Sequence, residues 1–321
     1  MSPQLRPFGR TGFSIAPLVL GTNVFGWTVD EPTSFSILDA FVDHGFDAID
    51  TADSYSRWVP GNSGGESETI IGRWLARNPA NRDRVHILTK VGSGMPATKG
   101  KKTLARQWIL HEVEESLRRL RIDTIDLYQS HWPDPDTPHE ETLSAYDDLL
   151  RAGKVRAIGA SNFSVEQLAE ALRVAGAKGL PRYATLQPAY NLYDGASYEG
   201  PLRDLAIREG LGVIPYFALA AGFLTGKYRS EADLNKSPRG ARNAKQYLNE
   251  HGMRVLAALD EVAARLGATP AQVALAWQAA KPGITASIAS ATSEEQLAGL
   301  VKAASLELDG EAIEALDAAS A

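Results

Sequence analysis

Several short apolar runs in this 321-residue chain end in a side chain that is costly to bury. The run 48–49 leads into Asp50, with Tyr55 five positions on, and the run 85–88 leads to Lys90. The run 125–128 leads to His131 and Trp132, and the run 155–158 to Ser161 and Asn162. The run 184–186 ends in Gln187, with Asn191 beyond it, and 213–214 leads to Tyr216. An ammonium or carboxylate among apolar side chains is tolerable only when it is paired. Asp50 and Lys90, on neighbouring strands, would satisfy each other, and that pair alone needs no function. Tyr55 adds one. A phenol with a pKa of about 10 is a poor proton donor near neutrality. An adjacent ammonium stabilises the phenolate and lowers that pKa. Tyrosine, lysine and aspartate together therefore make a general acid–base. His131 in that company would hydrogen-bond and polarise a carbonyl, whereas alone it reads as a histidine on a rim. His44, His86, His111, His139 and His251 fall in helix-like, strand-edge or loop contexts, where surface or capping roles suffice. No second histidine or carboxylate stands at ligand spacing from His131, so no metal site is expected.

These groups meet only if the strands that carry them lie side by side. Apolar runs at 18–20, 48–50, 85–88, 125–128, 155–158, 184–186, 213–214 and 284–288 read as strands. Amphipathic stretches alternate with them at 32–44, 67–77, 103–120, 140–151, 165–174, 201–209, 251–266, 270–280 and 293–304. Thr103 and Ser164 stand where N-caps belong. A final helix is expected at 310–319, and a polar, basic insertion runs from 227 to 245. Residues 5–16 hold the turn Gly9-Arg10-Thr11-Gly12 and read as a hairpin under the sheet. Eight strand–helix units predict an α/β TIM (β/α)8 barrel with an N-terminal hairpin and extra C-terminal helices. One domain over 1–321 is expected, because no linker divides the chain. A doubly wound sheet would carry G-x-G-x-x-G after its first strand. The chain has Gly21-Thr22-Asn23-Val24-Phe25-Gly26 there instead.

Composition narrows the function classes. A net charge of −6 disfavours sequence-independent nucleic-acid binding. Lys99, Lys101 and Lys102 form a basic cluster that reads as a solvated loop. With no cysteine there is no thiolate nucleophile and no cysteine-based metal or cluster site. The polar first ten residues lack a signal core, and 210–226 reads as a buried strand and loop rather than a membrane span. A cytoplasmic protein is expected.

The chain resembles the aldo-keto reductases along nearly its whole length. The resemblance rests on Leu20-Gly21-Thr22, on Ile49-Asp50-Thr51-Ala52-Asp53-Ser54-Tyr55, on Gly65-Glu66-Ser67-Glu68 and on Thr89-Lys90. Further matches are Asp126-Leu127-Tyr128-Gln129-Ser130-His131-Trp132 and the stretch from Gly153 to Phe163. Gln187-Pro188-Ala189-Tyr190-Asn191 and Gly222-Phe223-Leu224-Thr225-Gly226-Lys227-Tyr228 complete the series. The branch it is similar to includes bacterial aldo-keto reductases and potassium-channel β subunits. The resemblance implies a catalytic set of Asp50, Tyr55, Lys90 and His131. It implies NADPH, or NADH, stretched over the barrel mouth past Gly21, Thr22, Asn23 and Asp50. Ser161, Asn162 and Gln187 would hold the carboxamide, Tyr216 would stack on the nicotinamide, and Phe217 and Leu219 would give backbone contacts. The family's Ser-Pro-Leu is here Phe217-Ala218-Leu219, and its Pro-Gly-Ala loop is here Ala289-Ser290-Ala291. These departures remove expected grips on an adenosine 2′-phosphate, for which Lys227 and Arg239 would supply the charge, while Ser290, Thr292 and Gln296 would remain cofactor contacts. The expected substrate is a small-molecule carbonyl compound or alcohol, and a wall of Phe25, Trp27, Tyr55, Trp58, His131 and Trp132 would suit a bulky or flat carbonyl compound or a sugar ring. The rival readings are a cofactor-bound regulatory subunit and an aldolase using Lys90 as a Schiff base, which would need a lysine free of its carboxylate.

Overall fold

The computed structural model describes residues 3–237 and 243–321. The chain opens with a hairpin of β1 (Arg6–Pro7) and β2 (Ser14–Ile15). Strands and helices then alternate: β3 (Leu18–Gly21), α1 (Glu31–Asp43), β4 (Ala48–Asp50), α2 (Glu66–Arg77), β5 (His86–Val91) and α3 (Arg106–Leu120). They continue as β6 (Ile125–Ser130), α4 (His139–Arg151), β7 (Val155–Ser161), α5 (Val165–Lys178), β8 (Thr185–Gln187), α6 (Pro201–Glu209) and β9 (Gly212–Val213). The last part holds α7 (Glu250–Leu266), α8 (Pro270–Ala280), β10 (Ser287–Ala289), α9 (Glu294–Ala303) and α10 (Gly310–Ser320).

The eight strands β3–β10 pair in parallel, each with its sequence neighbour, and β10 returns to β3. The ring closes where Val213 bridges to Ile284 and accepts from the amide of Thr285 at 2.8 Å. The Ile288 amide adds a bond to the Pro215 carbonyl at 3.0 Å. The fold is thus an α/β TIM barrel, as expected, with the chemistry-bearing strand ends all at one mouth.

Two apolar layers hold it. Inside the ring, Val19, Ala48, Leu88, Leu127, Ala157, Ile214, Ala286 and Ile288 pack together, and Phe8 closes the layer from below. The hairpin is therefore the plug the sequence suggested. Gly9 allows it: φ is 56°, and a Cβ there would lie 2.2 Å from the Ala184 carbonyl. Outside the ring, side chains such as Phe41, Trp74, Leu120, Tyr146, Leu172 and Leu259 pack the helices onto the strands.

Local signals set most boundaries. Ser164 and Thr269 each close a capping box with a glutamine three residues on. Thr103 does not cap α3. Its hydroxyl takes the Ala105 amide, the buried Asp134 carboxylate takes the Leu104 amide at 2.8 Å, and the helix begins only at Arg106. The eighth strand is shorter than expected and starts at Ser287, because 284–286 turn to meet Val213.

Candidate active site

Asp50 is the last residue of β4 and Lys90 the penultimate residue of β5. Adjacent parallel strands therefore bring a carboxylate and an ammonium to one depth of the mouth. The Lys90 Nζ donates to Asp50 Oδ2 at 2.6 Å, to the Thr51 carbonyl at 2.8 Å and to the Tyr55 hydroxyl at 2.9 Å. Those three bonds use all three ammonium hydrogens. Lys90 is 0% exposed and Asp50 1%. Burial pulls the Lys90 pKa below its ordinary value, opposed by the charge of Asp50. The other Asp50 oxygen accepts from Gln187 Nε2 at 2.9 Å and Gln129 Nε2 at 3.5 Å. An ammonium so engaged is not the freed lysine a Schiff base requires.

Tyr55 reaches this pair from a turn pinned on both sides. The Asp53 amide donates to the Lys90 carbonyl at 3.3 Å. Ser56 takes a left-handed φ of 69° while its hydroxyl donates to the Phe25 carbonyl at 2.6 Å. Asn62 Nδ2 then ties the following loop to the Gly26 and Ser56 carbonyls. The Tyr55 hydroxyl also lies 3.4 Å from Asp50 Oδ2.

His131 follows β6, its amide bonded to the Val91 carbonyl at 2.8 Å and its carbonyl accepting from Asn162 Nδ2 at 2.9 Å. Its ring stands edge-on to Tyr55, 6.1 Å between centroids. Its pKa is held well below the ordinary value by burial first and then by the cations Lys90, Lys102 and Arg57. The imidazole is therefore neutral at physiological pH.

Beside this group runs a polar arc at the ends of β7, β8 and β9. Ser161 Oγ donates to the Gln187 carbonyl at 2.9 Å, and the Tyr216 hydroxyl donates to Asn162 Oδ1 at 2.6 Å. Burial pushes the Tyr216 phenol up to about 12, so it stays a donor. Asn162 and Phe217 hold positive φ values of 63° and 58°, and Phe217 is 48% exposed next to Tyr216. Positive φ at a bulky residue stores strain of about 1–3 kcal/mol and clusters at functional sites. The Asn191 side chain supports the turn by donating to the Phe217 carbonyl at 3.1 Å. Ala218 is buried and Leu219 half-buried behind it.

Across the closure, β10 lies beside β3, and Ser290 Oγ donates to Asn23 Oδ1 at 3.0 Å. Thr22 donates to the Asp50 carbonyl at 2.8 Å, so it supports the β4 end from beneath. A Cβ on Gly21 would lie 3.0 Å from the Ser290 hydroxyl. Thr292 and Gln296 bond each other at the start of α9. Lys227 lies past the β9 loop, its ammonium 5.0 Å from the centre of the Tyr228 ring. Arg239 lies outside the described residues. Of the proposed aromatic wall, Trp27 and Trp58 meet edge-on at 5.6 Å and Trp58 stands over Tyr55 at 6.3 Å. Trp132 is half-buried next to His131. Phe25 is fully buried under the loop.

Two groups escaped the sequence reading. Lys102 is not a plain solvated lysine: its ammonium sits 3.5 Å over the Trp132 ring. Behind the Tyr55 turn, Arg119 bonds both Glu68 and Glu112, beside the fully buried Asp53. Burial, with Glu112 and Glu68 nearby, pushes the Asp53 carboxyl well above the ordinary range. Arg119 meets Glu112 seven residues back and Glu68 fifty-one residues back, and Lys102 meets a ring thirty residues on, so no local spacing announced either group.

A model of the aldo/keto reductase family matches residues 17–321. The chain belongs to the aldo/keto reductase family. It is 36% identical over 318 residues to "Uncharacterized oxidoreductase YrpG" of Bacillus subtilis (strain 168), covering 96% of this chain and 93% of that one. It is 35% identical over 302 residues to "Aldo-keto reductase YhdN" of the same organism, covering 90% and 85%. It is also 32% identical over 305 residues to "Probable voltage-gated potassium channel subunit beta" of Arabidopsis thaliana, covering 94% and 90%. Family membership makes this aldo/keto reductase an oxidoreductase, of a family that generally uses nicotinamide cofactors. Among the described residues, no helix is long and apolar enough to cross a membrane, and no cluster of side chains is arranged to hold a metal ion.

Proposed function

We propose that this aldo/keto reductase reversibly reduces an aldehyde or ketone to an alcohol with NADPH, and that Tyr55 gives the proton. The observation that carries the reading is the Lys90 ammonium, 2.9 Å from the Tyr55 hydroxyl and 2.6 Å from Asp50. When bound, the nicotinamide cofactor supplies the hydride. Tyr55 donates its proton to the substrate oxygen as charge develops there. Lys90 stabilises the phenolate left behind, and Asp50 keeps that buried lysine charged and in place. Neutral His131 donates a hydrogen bond to the same oxygen, which orients and polarises the carbonyl. The half-buried Tyr216 ring and the exposed Phe217 beside the Ser161–Asn162–Gln187 arc suit a flat ring bearing a carboxamide, so the residues fit the cofactor. Asp50, Gly21, Thr22, Asn23 and Leu219 would line its path, and Ser290, Thr292, Gln296, Lys227 and Arg239 its far end.

One observation favours NADH as a second reading. The first turn of α9 carries Glu294 and Glu295, and no basic residue lies between Ala289 and Gln296. A 2′-phosphate held there would need a cation. Separate fluorescence titrations with NADPH and NADH distinguish the two. The similarity to channel β subunits makes cofactor binding without turnover the rival function, and reduction of a generic aldehyde separates it. Tyr55→Phe is expected to bind cofactor normally and to lose about 10²–10⁴-fold in kcat/KM. Reduction near the wild-type rate would remove Tyr55 from the chemistry.

A further inference from the structure

The mouth above Tyr55 and His131 is cationic in a chain whose net charge is −6. Lys90 is offset by Asp50, but two further positive groups have no such partner. Arg57 stands between Ser56 and Trp58 on the loop that follows Tyr55, and its guanidinium bonds the Gly94 carbonyl. Lys102 sits on the facing loop, its ammonium 3.5 Å over the Trp132 ring. Among the described residues, neither has a carboxylate oxygen within ion-pair distance. Lys90, Lys102 and Arg57 each push the His131 pKa down. Partial burial alone lowers the Lys102 pKa, with no acidic neighbour to offset it. Between the two loops lies a cavity of about 380 Å³ lined by Arg57, Trp58, Met95, Pro96 and Gly100. That volume accepts a small ring. Trp58 is 36% exposed and meets both Trp27 and Tyr55 edge-on, so the approach is aromatic as well as cationic.

Uncompensated like charges at the rim of a cleft weaken nothing only when they face water or an incoming anion. Here both are exposed at the rim, close enough to act on His131, and focused fields of this kind raise the local concentration of an oppositely charged ligand. We infer that the preferred substrate is a flat, unsaturated or aromatic carbonyl compound that carries a carboxylate. Its ring lies among Trp58, Trp27 and Trp132, and its carboxylate lies toward Arg57 and Lys102. This rests on the reductase reading and adds the substrate class to it.

The test compares 4-formylbenzoate with its methyl ester, two aldehydes of similar shape and different charge. The wild-type kcat/KM is expected to be about five- to tenfold higher for the carboxylate, the range that two screened rim charges support. That advantage is expected to shrink with added salt, to fall to about two- to threefold in Lys102→Met, which keeps Arg57, and to return in Lys102→Arg. A binding arm needs no turnover: benzoate is expected to quench tryptophan fluorescence at lower concentration than benzamide, and less so in Lys102→Met. If wild type reduces the ester as well as the carboxylate, the anion preference is overturned while the reductase reading stands. If neither aldehyde is reduced yet benzoate still binds better than benzamide, the anion site stands and the reductase reading falls. If neither is reduced and the two probes bind alike, both fall.

Discussion

Replacing Asp50 by asparagine removes the countercharge of a lysine that is 0% exposed. The side chain keeps its size, so the loss is electrostatic. Taking one partner from a buried ion pair costs about 3–5 kcal/mol, because the remaining charge has no compensation. Lys90 has one escape, which is to release its proton. From an ordinary pKa near 10.4, neutralising a lysine at pH 7 costs about 4–5 kcal/mol. The two routes agree, and the expected loss at pH 7 is about 3–5 kcal/mol, or about 4–8 °C in Tm for a chain of this size. The sign with pH follows from the lowered Lys90 pKa, which Asp50→Asn lowers further. Between the folded and unfolded pKa values the unfolded state binds the extra proton, so stability rises with pH through that window. The variant is thus expected to recover part of its deficit by pH 9–10, where wild type gains less. Thermal melts from pH 6 to 10 measure this directly. The double variant Asp50→Asn with Lys90→Met removes both charges and is expected to melt above Asp50→Asn alone while remaining inactive in carbonyl reduction. An Asp50→Asn protein with wild-type Tm at pH 7 and no gain toward pH 9 would refute the coupled buried pair.

Three further outcomes follow from the same geometry. His131 is held neutral by burial and by Lys90, Lys102 and Arg57, so kcat/KM should show no break between pH 6 and 7; a titration limb near 6.5 would contradict that. Arg119→Met leaves Glu68 and Glu112 buried without their cation, and about 3–5 kcal/mol of stability should be lost at pH 8, read by thermal denaturation. Less should be lost at pH 5, because the Glu112 carboxyl, pushed up by burial, takes a proton more readily there; a loss below about 1 kcal/mol at pH 8 would refute it. Tyr216→Phe removes the 2.6 Å bond to Asn162 and should weaken cofactor binding about three- to tenfold by fluorescence titration, and unchanged affinity would detach Tyr216 from the cofactor site.

The barrel was legible because its signals are local and repeated. Eight apolar runs alternate with helices that carry their own start signals, such as Ser164, Pro201 and Thr269, and 201–209 and 270–280 begin and end where the pattern put them. Asp50, Lys90 and His131 stood out for a related reason: a charged or titratable side chain at the end of an apolar run demands a partner, and the parallel order of strands says where to look. Boundaries governed by side chains from elsewhere were not legible. Thr103 fails as a cap because Asp134, thirty residues beyond Leu104, takes the Leu104 amide. Only the folded chain decides that Lys102 leaves its lysine-rich loop to cover Trp132, that Phe25 is buried while Trp58 is not, and that Arg119 holds two glutamates behind Tyr55. A sequence carries the type and spacing of its groups, but whether a charge meets water, a ring or a carboxylate depends on which distant segments the closed barrel sets beside it.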